Sequence, residues 1–257
     1  MALSDHLREL RARIIRATLV LVLAVIVMFY FYDQLYQLVL DPYEKAARQI
    51  DPSVQSEPVI NGVTSGLMFQ LKLCGVAGIL VSSPYWLYQI WAFIVPGLHP
   101  QERKWSRIFA AIAGPLFLAG AAVGYYVLPK AITVLINFTP KGVTNLVEFT
   151  EFFSFVARMC LIFGIAFEIP LFVVMLNLAG VVSGKALGKY RPWIILGTFV
   201  FAAVGTPSTD PFSMLFLAIP MLVLFLLAEV IARFTDRARG RGADSTDTWS
   251  DDEVSTL

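Results

Sequence analysis

Six apolar segments follow one another along the chain, separated by polar segments. In order, they are Ala17 to Tyr32, Gly66 to Phe93, Ile108 to Leu128, Glu151 to Leu178, Pro192 to Val204 and Phe212 to Ile231. A helix needs about 20 predominantly apolar residues to cross a ~30 Å hydrocarbon core. The pattern therefore predicts an all-α integral membrane protein with six transmembrane helices, of which the fifth and sixth are short.

The composition supports this membrane class. Hydrophobic residues make up 57% of the chain and charged residues 15%, whereas soluble domains average about 45–50% and about 25%. Both cysteines lie inside apolar segments, so neither a disulfide framework nor a thiolate metal site is predicted. No nucleotide-binding loop, nucleophile–base pair or metal cluster is evident, and we predict a protein that is not an enzyme and needs no cofactor.

The distribution of lysine and arginine predicts the orientation. Fourteen of them lie before the first span, between the second and third, between the fourth and fifth, and after the sixth, against four in the two remaining loops. Basic residues accumulate on the cytoplasmic side of membrane proteins, so both termini should be cytoplasmic. We expect residues 1–233 to form the membrane domain. Residues 234–257, rich in Ser, Thr, Asp and Arg, should form a disordered cytoplasmic tail.

Two acidic residues lie among basic ones at the predicted cytoplasmic edge. Glu9 belongs to an amphipathic segment, residues 1–16, and has Arg8, Arg11 and Arg13 nearby. Glu102 lies beside Arg103 and Lys104 in the loop after the second span, within the stretch SSPYWLYQIWAFIVPGLHPQERKW. Each of them alone is most simply interpreted as part of a solvated charged surface.

Glu168 is the acidic residue placed deepest in an apolar segment, where a carboxylate costs on the order of 2.5 to 3.5 kcal/mol. Two interpretations stay open: a protonated carboxyl bonded to a neighbouring helix of this chain, or a group that faces a wet groove or a partner's helix. Pro170 predicts a bend there, since it removes a helical hydrogen bond. Lys72 and Arg158, nearer the outer ends of their spans, are expected to extend their charges to the interface.

Several of these motifs together resemble the TatC family, the core of the twin-arginine protein translocase. They are HLRELRAR near the start, the loop stretch quoted above, FGIAFEIP in the fourth span, KYRPW before the fifth and TPSTDPFS before the sixth. The resemblance implies a protein of the cytoplasmic membrane that binds signal peptides with two adjacent arginines. It also implies export of folded proteins driven by the proton gradient, in an oligomeric complex with single-span partners of the TatA and TatB type and without nucleic acid.

The resemblance also assigns roles to individual residues. Glu9 and Glu102 match the positions that engage the signal peptide's arginines, and guanidinium groups suit carboxylates because they bind them with two parallel hydrogen bonds. The remaining signal-peptide positions are Phe93, Arg13, His99 and Arg103. Glu168 and Thr206 match partner-helix contacts, and Pro42, Pro96 and Pro170 match positioning elements. Met214 stands where many members have a glutamine, which makes the polar patch around Thr206 thinner.

Two other functions fit parts of the sequence. The buried Glu168 and the proline-interrupted spans are also compatible with a proton-coupled transporter of small solutes. A membrane scaffold that only assembles partner helices is the third possibility. The charged motifs favour the translocase over both, because they lie at the cytoplasmic edge and the two halves of the chain are not evident repeats.

Overall fold

Long α-helices joined by short segments form the fold, in a computed structural model that describes residues 3–49, 55–94, 103–140, 144–178, 180–205 and 211–238. Within these ranges the helices are α1 Leu3–Tyr30, α2 Tyr32–Ala47, α3 Ser65–Ile94, α4 Arg103–Ile136, α5 Phe149–Leu178, α6 Gly184–Lys189, α7 Arg191–Gly205 and α8 Pro211–Ala238. Two strands, β1 Gln55–Val59 and β2 Thr144–Glu148, complete the described elements.

Five of the helices are long and apolar enough to cross a bilayer, namely α1, α3, α4, α5 and α8. The helix α7 is apolar but has only 15 residues. At ~1.5 Å per residue it is about 22 Å long, which is less than a ~30 Å hydrocarbon core. The six-helix membrane architecture and the short fifth span are therefore confirmed.

The sixth span, α8, is not short, and that part of the prediction was wrong. It is 28 residues long and continues past Arg233 to Ala238. Basic residues indicate the membrane edge but do not end a helix. The last turns of α8 are stabilised by the contacts of Glu229 with Arg191 and of Asp236 with Gly184. The boundary predicted at residue 233 thus falls inside α8, and residues 239–257 lie outside the described ranges.

Two other boundaries differ from the prediction. The amphipathic N-terminal segment and the first span form one continuous helix, α1. The third span continues beyond Leu128 and through Pro129 to Ile136. Its last turns carry buried Ala131, Ile132 and Ile136, so packing of this apolar face explains why the helix does not end at the proline.

The region opposite the N-terminus contains α2 and a two-stranded parallel ladder. β1 pairs with β2 in a register that places Pro58 opposite Val147. The strands were not predicted, because each has only five residues and little apolar alternation. Pro42 lies inside α2 and is fully buried, which agrees with a structural role for this proline.

The centre of the core is α5, which packs against α4, α8 and α3. Phe69 of α3 meets Phe149 and Phe153 of α5 at ring-centroid distances of 5.0 and 5.4 Å. On α4, an added Cβ at Gly120 would lie 2.5 Å from the backbone oxygen of Phe163. Helices α4 and α5 therefore approach each other closely here, and no larger side chain fits between them.

Candidate functional site

Glu9 and Arg13 form an ion pair on the first turns of α1. Both Nε and Nη2 of Arg13 donate to the same carboxylate oxygen, Glu9 Oε1, at 3.0 and 2.6 Å. The second oxygen, Oε2, accepts no hydrogen bond from any residue that the structure describes. Because the Glu9 side chain is 30% exposed, this oxygen remains accessible to a further cation.

Arg13 also joins α1 to α3. Its Nη1 donates to Oε1 of Gln89 at 3.2 Å, and Gln89 is itself buried. The loop that carries Glu102 leaves α3 at Ile94, shortly after Gln89. The hydrogen bond therefore fixes Glu9 at the same end of the helix bundle as that loop.

An apolar groove of about 440 Å³ lies between α1 and α3, next to this ion pair. Its walls are mostly apolar, with Ile14 and Ala17 from α1 and Trp86 and Phe93 from α3. Arg13 is the charged residue of its lining. The structure thus brings together three predicted signal-peptide residues, since Glu9 bonds Arg13 and Arg13 shares the groove with Phe93.

Four of the predicted residues lie outside the described ranges. They are the signal-peptide residues Glu102 and His99, the positioning residue Pro96 and the partner-contact residue Thr206. The backbone at Arg103 begins α4. The predicted meeting of Glu9 with Glu102 stays a prediction.

Glu168 lies in α5 with both carboxyl oxygens buried. Neither oxygen has a hydrogen-bond partner within the described part of the chain, although the Trp91 indole of α3 lies close to the carboxyl group. Both interpretations of Glu168 therefore stay predictions. Pro170 lies within α5 and cannot donate to the carbonyl of Ala166, which adds a second polar group to this stretch.

A buried ionic cluster lies at the C-terminal end of α8. Its i,i+4 pair of Glu229 with Arg233 was predicted, but its contact with Arg191 was missed by the sequence analysis. Glu229 is 1% exposed and accepts from Arg191 Nε at 2.6 Å, from Arg191 Nη2 at 2.7 Å and from Arg233 Nε at 2.8 Å. The sequence analysis did not single out Glu229 as a site residue. A glutamate in an apolar run near the basic motif KYRPW was the available signal.

Asp236 extends this cluster by one helical turn. Its Oδ1 accepts from Asn177 Nδ2 at 2.7 Å, and its Oδ2 accepts from the backbone N–H of Gly184 at 2.6 Å. The end of α5 and the start of α6 are therefore bound to α8. No group of three or more His, Cys, Asp or Glu side chains suited to a metal ion occurs among the described residues.

Comparisons with known proteins bear on the identity of this arrangement. The model of the family described as "Sec-independent protein translocase protein (TatC)" matches residues 5–220. The chain belongs to the TatC family. It is therefore a component of the twin-arginine translocase, a multi-pass membrane protein of a protein transport system. This argues against the transporter of small solutes.

Individual relatives agree with this membership. The TatC protein of Frankia casuarinae is 39% identical over 265 residues, which cover 100% of this chain and 73% of that protein. The TatC protein of Escherichia coli K12 is 34% identical over 233 residues, covering 90% and 88%. A crystal structure of the twin-arginine translocase receptor TatC superposes with a TM-score of 0.78 at 30% identity, covering 90% of this chain and 100% of that one.

Met214 packs partly buried against the main core. The thinner polar patch expected around Thr206 stays a prediction, since Thr206 lies outside the described residues.

Proposed function

We propose that this TatC protein captures signal peptides with two adjacent arginines at the cytoplasmic face of the membrane. Glu9 and Glu102 supply the carboxylates for the two guanidinium groups. The other residues of the binding surface are Phe93, Arg13, His99 and Arg103. The observation that carries the proposal is the open oxygen Oε2 of Glu9, beside an apolar groove.

The geometry at Glu9 suits an incoming arginine. Arg13 uses only Oε1, so a second guanidinium can approach Oε2 without displacing it. Hydrogen bonds between charged groups are worth about 1.5 to 3 kcal/mol, more than those between neutral groups. Arg13 also holds the carboxylate in place through Gln89, so little side-chain entropy remains to be lost on binding.

The groove between α1 and α3 supports binding of a peptide segment next to the arginines. A signal peptide has an apolar region of about 7 to 15 residues after its basic region. The apolar walls formed by Ile14, Ala17, Trp86 and Phe93 offer contact for such side chains. Because Arg13 lines the groove and binds Glu9, the basic and apolar parts of the peptide would meet matching surfaces that adjoin each other.

Location, partners and energy source belong to the same proposal. The charge distribution supports a protein of the cytoplasmic membrane with both termini on the cytoplasmic side. We infer an oligomeric complex with TatA- and TatB-type single-span proteins, in which Glu168 and Thr206 contact a partner helix. Folded cargo would cross at the expense of the proton gradient.

Crosslinking in membranes tests the receptor function. A photo-crosslinker replaces Ile90, which lines the groove and is 48% exposed, and is challenged with a twin-arginine peptide and its twin-lysine counterpart. We expect preferential capture of the twin-arginine peptide, weakened about tenfold by Glu9→Gln and by Glu102→Gln, since each change removes about one charge-assisted hydrogen bond.

The matched control is Glu44→Gln. Glu44 also forms an i,i+4 pair with an arginine, Arg48, but lies on α2 at the opposite end of the bundle. Its capture should equal that of the unchanged protein. Equal capture of both peptides, or unchanged capture in both test variants, would refute the receptor function and favour a scaffold that only assembles partner helices.

A further inference from the structure

A charged crevice lies between α3 and α5, at the end of the bundle opposite Glu9. Its volume is about 530 Å³, and its charged lining consists of Lys72 from α3, Arg158 from α5 and the carboxylates of Glu148 and Glu151. The N-terminal ends of α3 and α5 are adjacent, as the contact of Phe69 with Phe149 shows. The crevice is therefore at the level where these two spans enter the membrane.

The charges in this crevice are not satisfied by one another. Neither Lys72 nor Arg158 forms an ion pair with a residue that the structure describes, although two carboxylates line the same space. The hydroxyl oxygen of Thr150, also in the lining, is buried without a hydrogen-bond partner there. A buried polar atom without a partner costs free energy unless a ligand or water supplies the bond.

The order of the charges along α5 indicates which ligand fits. Glu148 and Glu151 lie at the outermost level, and Arg158 lies seven residues deeper than Glu151, about 10 Å along a helix. Lys72 lies two turns into α3. From the outside toward the hydrocarbon core, the crevice presents carboxylates first and cations second.

We propose that the crevice binds the headgroup of a phospholipid whose phosphate carries a terminal primary ammonium group, of the phosphatidylethanolamine type. In such a lipid the ammonium is outermost and the phosphate lies deeper, next to the glycerol. The ammonium then meets Glu148 and Glu151, while Lys72 and Arg158 hold the phosphate, for which both residue types are suited.

Other headgroups match this order less well. An anionic headgroup without an amine would satisfy Lys72 and Arg158 but would leave two carboxylates without a cation. A quaternary ammonium carries the charge but has no N–H to donate to Glu148 or Glu151. Basic pockets between transmembrane helices are known to hold lipid headgroups, and the two carboxylates add the selectivity for a primary amine.

Native mass spectrometry of the full-length protein in mixed micelles tests this. The micelles are titrated with phosphatidylethanolamine, phosphatidylcholine or phosphatidylglycerol of equal chain length. We expect phosphatidylethanolamine adducts at about tenfold lower lipid concentration than either of the others, and Lys72→Gln with Arg158→Gln should remove this advantage. Glu151→Gln should bring phosphatidylethanolamine and phosphatidylglycerol to similar binding.

Lys130→Gln is the matched control. Lys130 is an exposed cation near the same end of the bundle, on α4, and its replacement should leave the binding of all three lipids unchanged.

Equal binding of the three lipids, or unchanged phosphatidylethanolamine binding in the double variant, would overturn the proposal. Complete displacement of the lipid by an equal concentration of soluble phosphoethanolamine would also overturn it. The ligand would then be a small water-soluble molecule and not a membrane lipid. Since signal-peptide capture takes place at the other end of the bundle, the two proposals fail independently.

Discussion

Arg191 binds both carboxylate oxygens of Glu229, with Nε 2.6 Å from Oε2 and Nη2 2.7 Å from Oε1. The two residues are 38 positions apart, so this pair joins the start of α7 to α8. The short helix α7 has few buried residues of its own, Thr198 and Ala202. We therefore expect this ionic contact to contribute to the position of α7, beside the packing of its partly buried Ile194 and Phe199.

Replacing Glu229 tests that dependence. Glu229→Gln removes the charge that two arginines share. We expect a melting temperature lower by several degrees, because an amide has one acceptor oxygen and cannot accept all the hydrogen bonds that Arg191 and Arg233 donate to the carboxylate. Thermal unfolding in detergent is the measurement, with Glu44→Gln as the exposed i,i+4 control. A melting temperature equal to that of the control would show that α7 is held by apolar packing instead.

Glu168 gives a second prediction, in which stability and assembly respond differently. Its oxygens are buried without a hydrogen-bond partner among the described residues, so Glu168→Leu should leave the melting temperature unchanged or higher, since a desolvated polar group is removed. Copurification of TatA- and TatB-type partners should fall about tenfold if their helices supply the missing polar contact.

The control on the same helix is Ile165→Ala, an exposed apolar position at which neither quantity should change. Full copurification together with a lower melting temperature in Glu168→Leu would contradict the partner contact. That result would assign the carboxyl group a role in the stability of this chain.

The contact between α4 and α5 gives a third prediction. Gly120→Ala would place a Cβ 2.5 Å from the backbone oxygen of Phe163, and backbone cannot move aside as a side chain can. We expect a loss of about 1 to 3 kcal/mol, which is typical of overpacking, measured as a lower midpoint of unfolding. Gly75→Ala is the control, because its Cβ would meet no atom within 4 Å and alanine favours helix over glycine. A midpoint for Gly120→Ala as high as that for Gly75→Ala would contradict this account of the helix contact.

Some parts of the candidate sites could be predicted from the sequence and others could not. The difference is whether a part is formed by neighbouring residues or by helices that are distant along the chain. Glu9, Arg13 and Glu168 were found because charge at a membrane edge or in an apolar segment is visible locally. The groove was not predicted, since its walls come from helices that are far apart in sequence, with Ile14 on one and Trp86 on the other. The segment with Glu102 is described only at its two flanking helices, α3 and α4.

The sequence by itself determined the membrane class, the order of the six apolar helices, the charge asymmetry and the family motifs. These properties depend on the length of an apolar run or on a count of charges, which is independent of how the helices pack. Only the tertiary structure decided that Glu229 meets Arg191, that Asp236 holds Gly184, and that β1 pairs with β2. Each of these contacts joins residues that are distant along the chain. Burial strengthens an ionic or polar contact, and the residues become buried only once the helices have packed together.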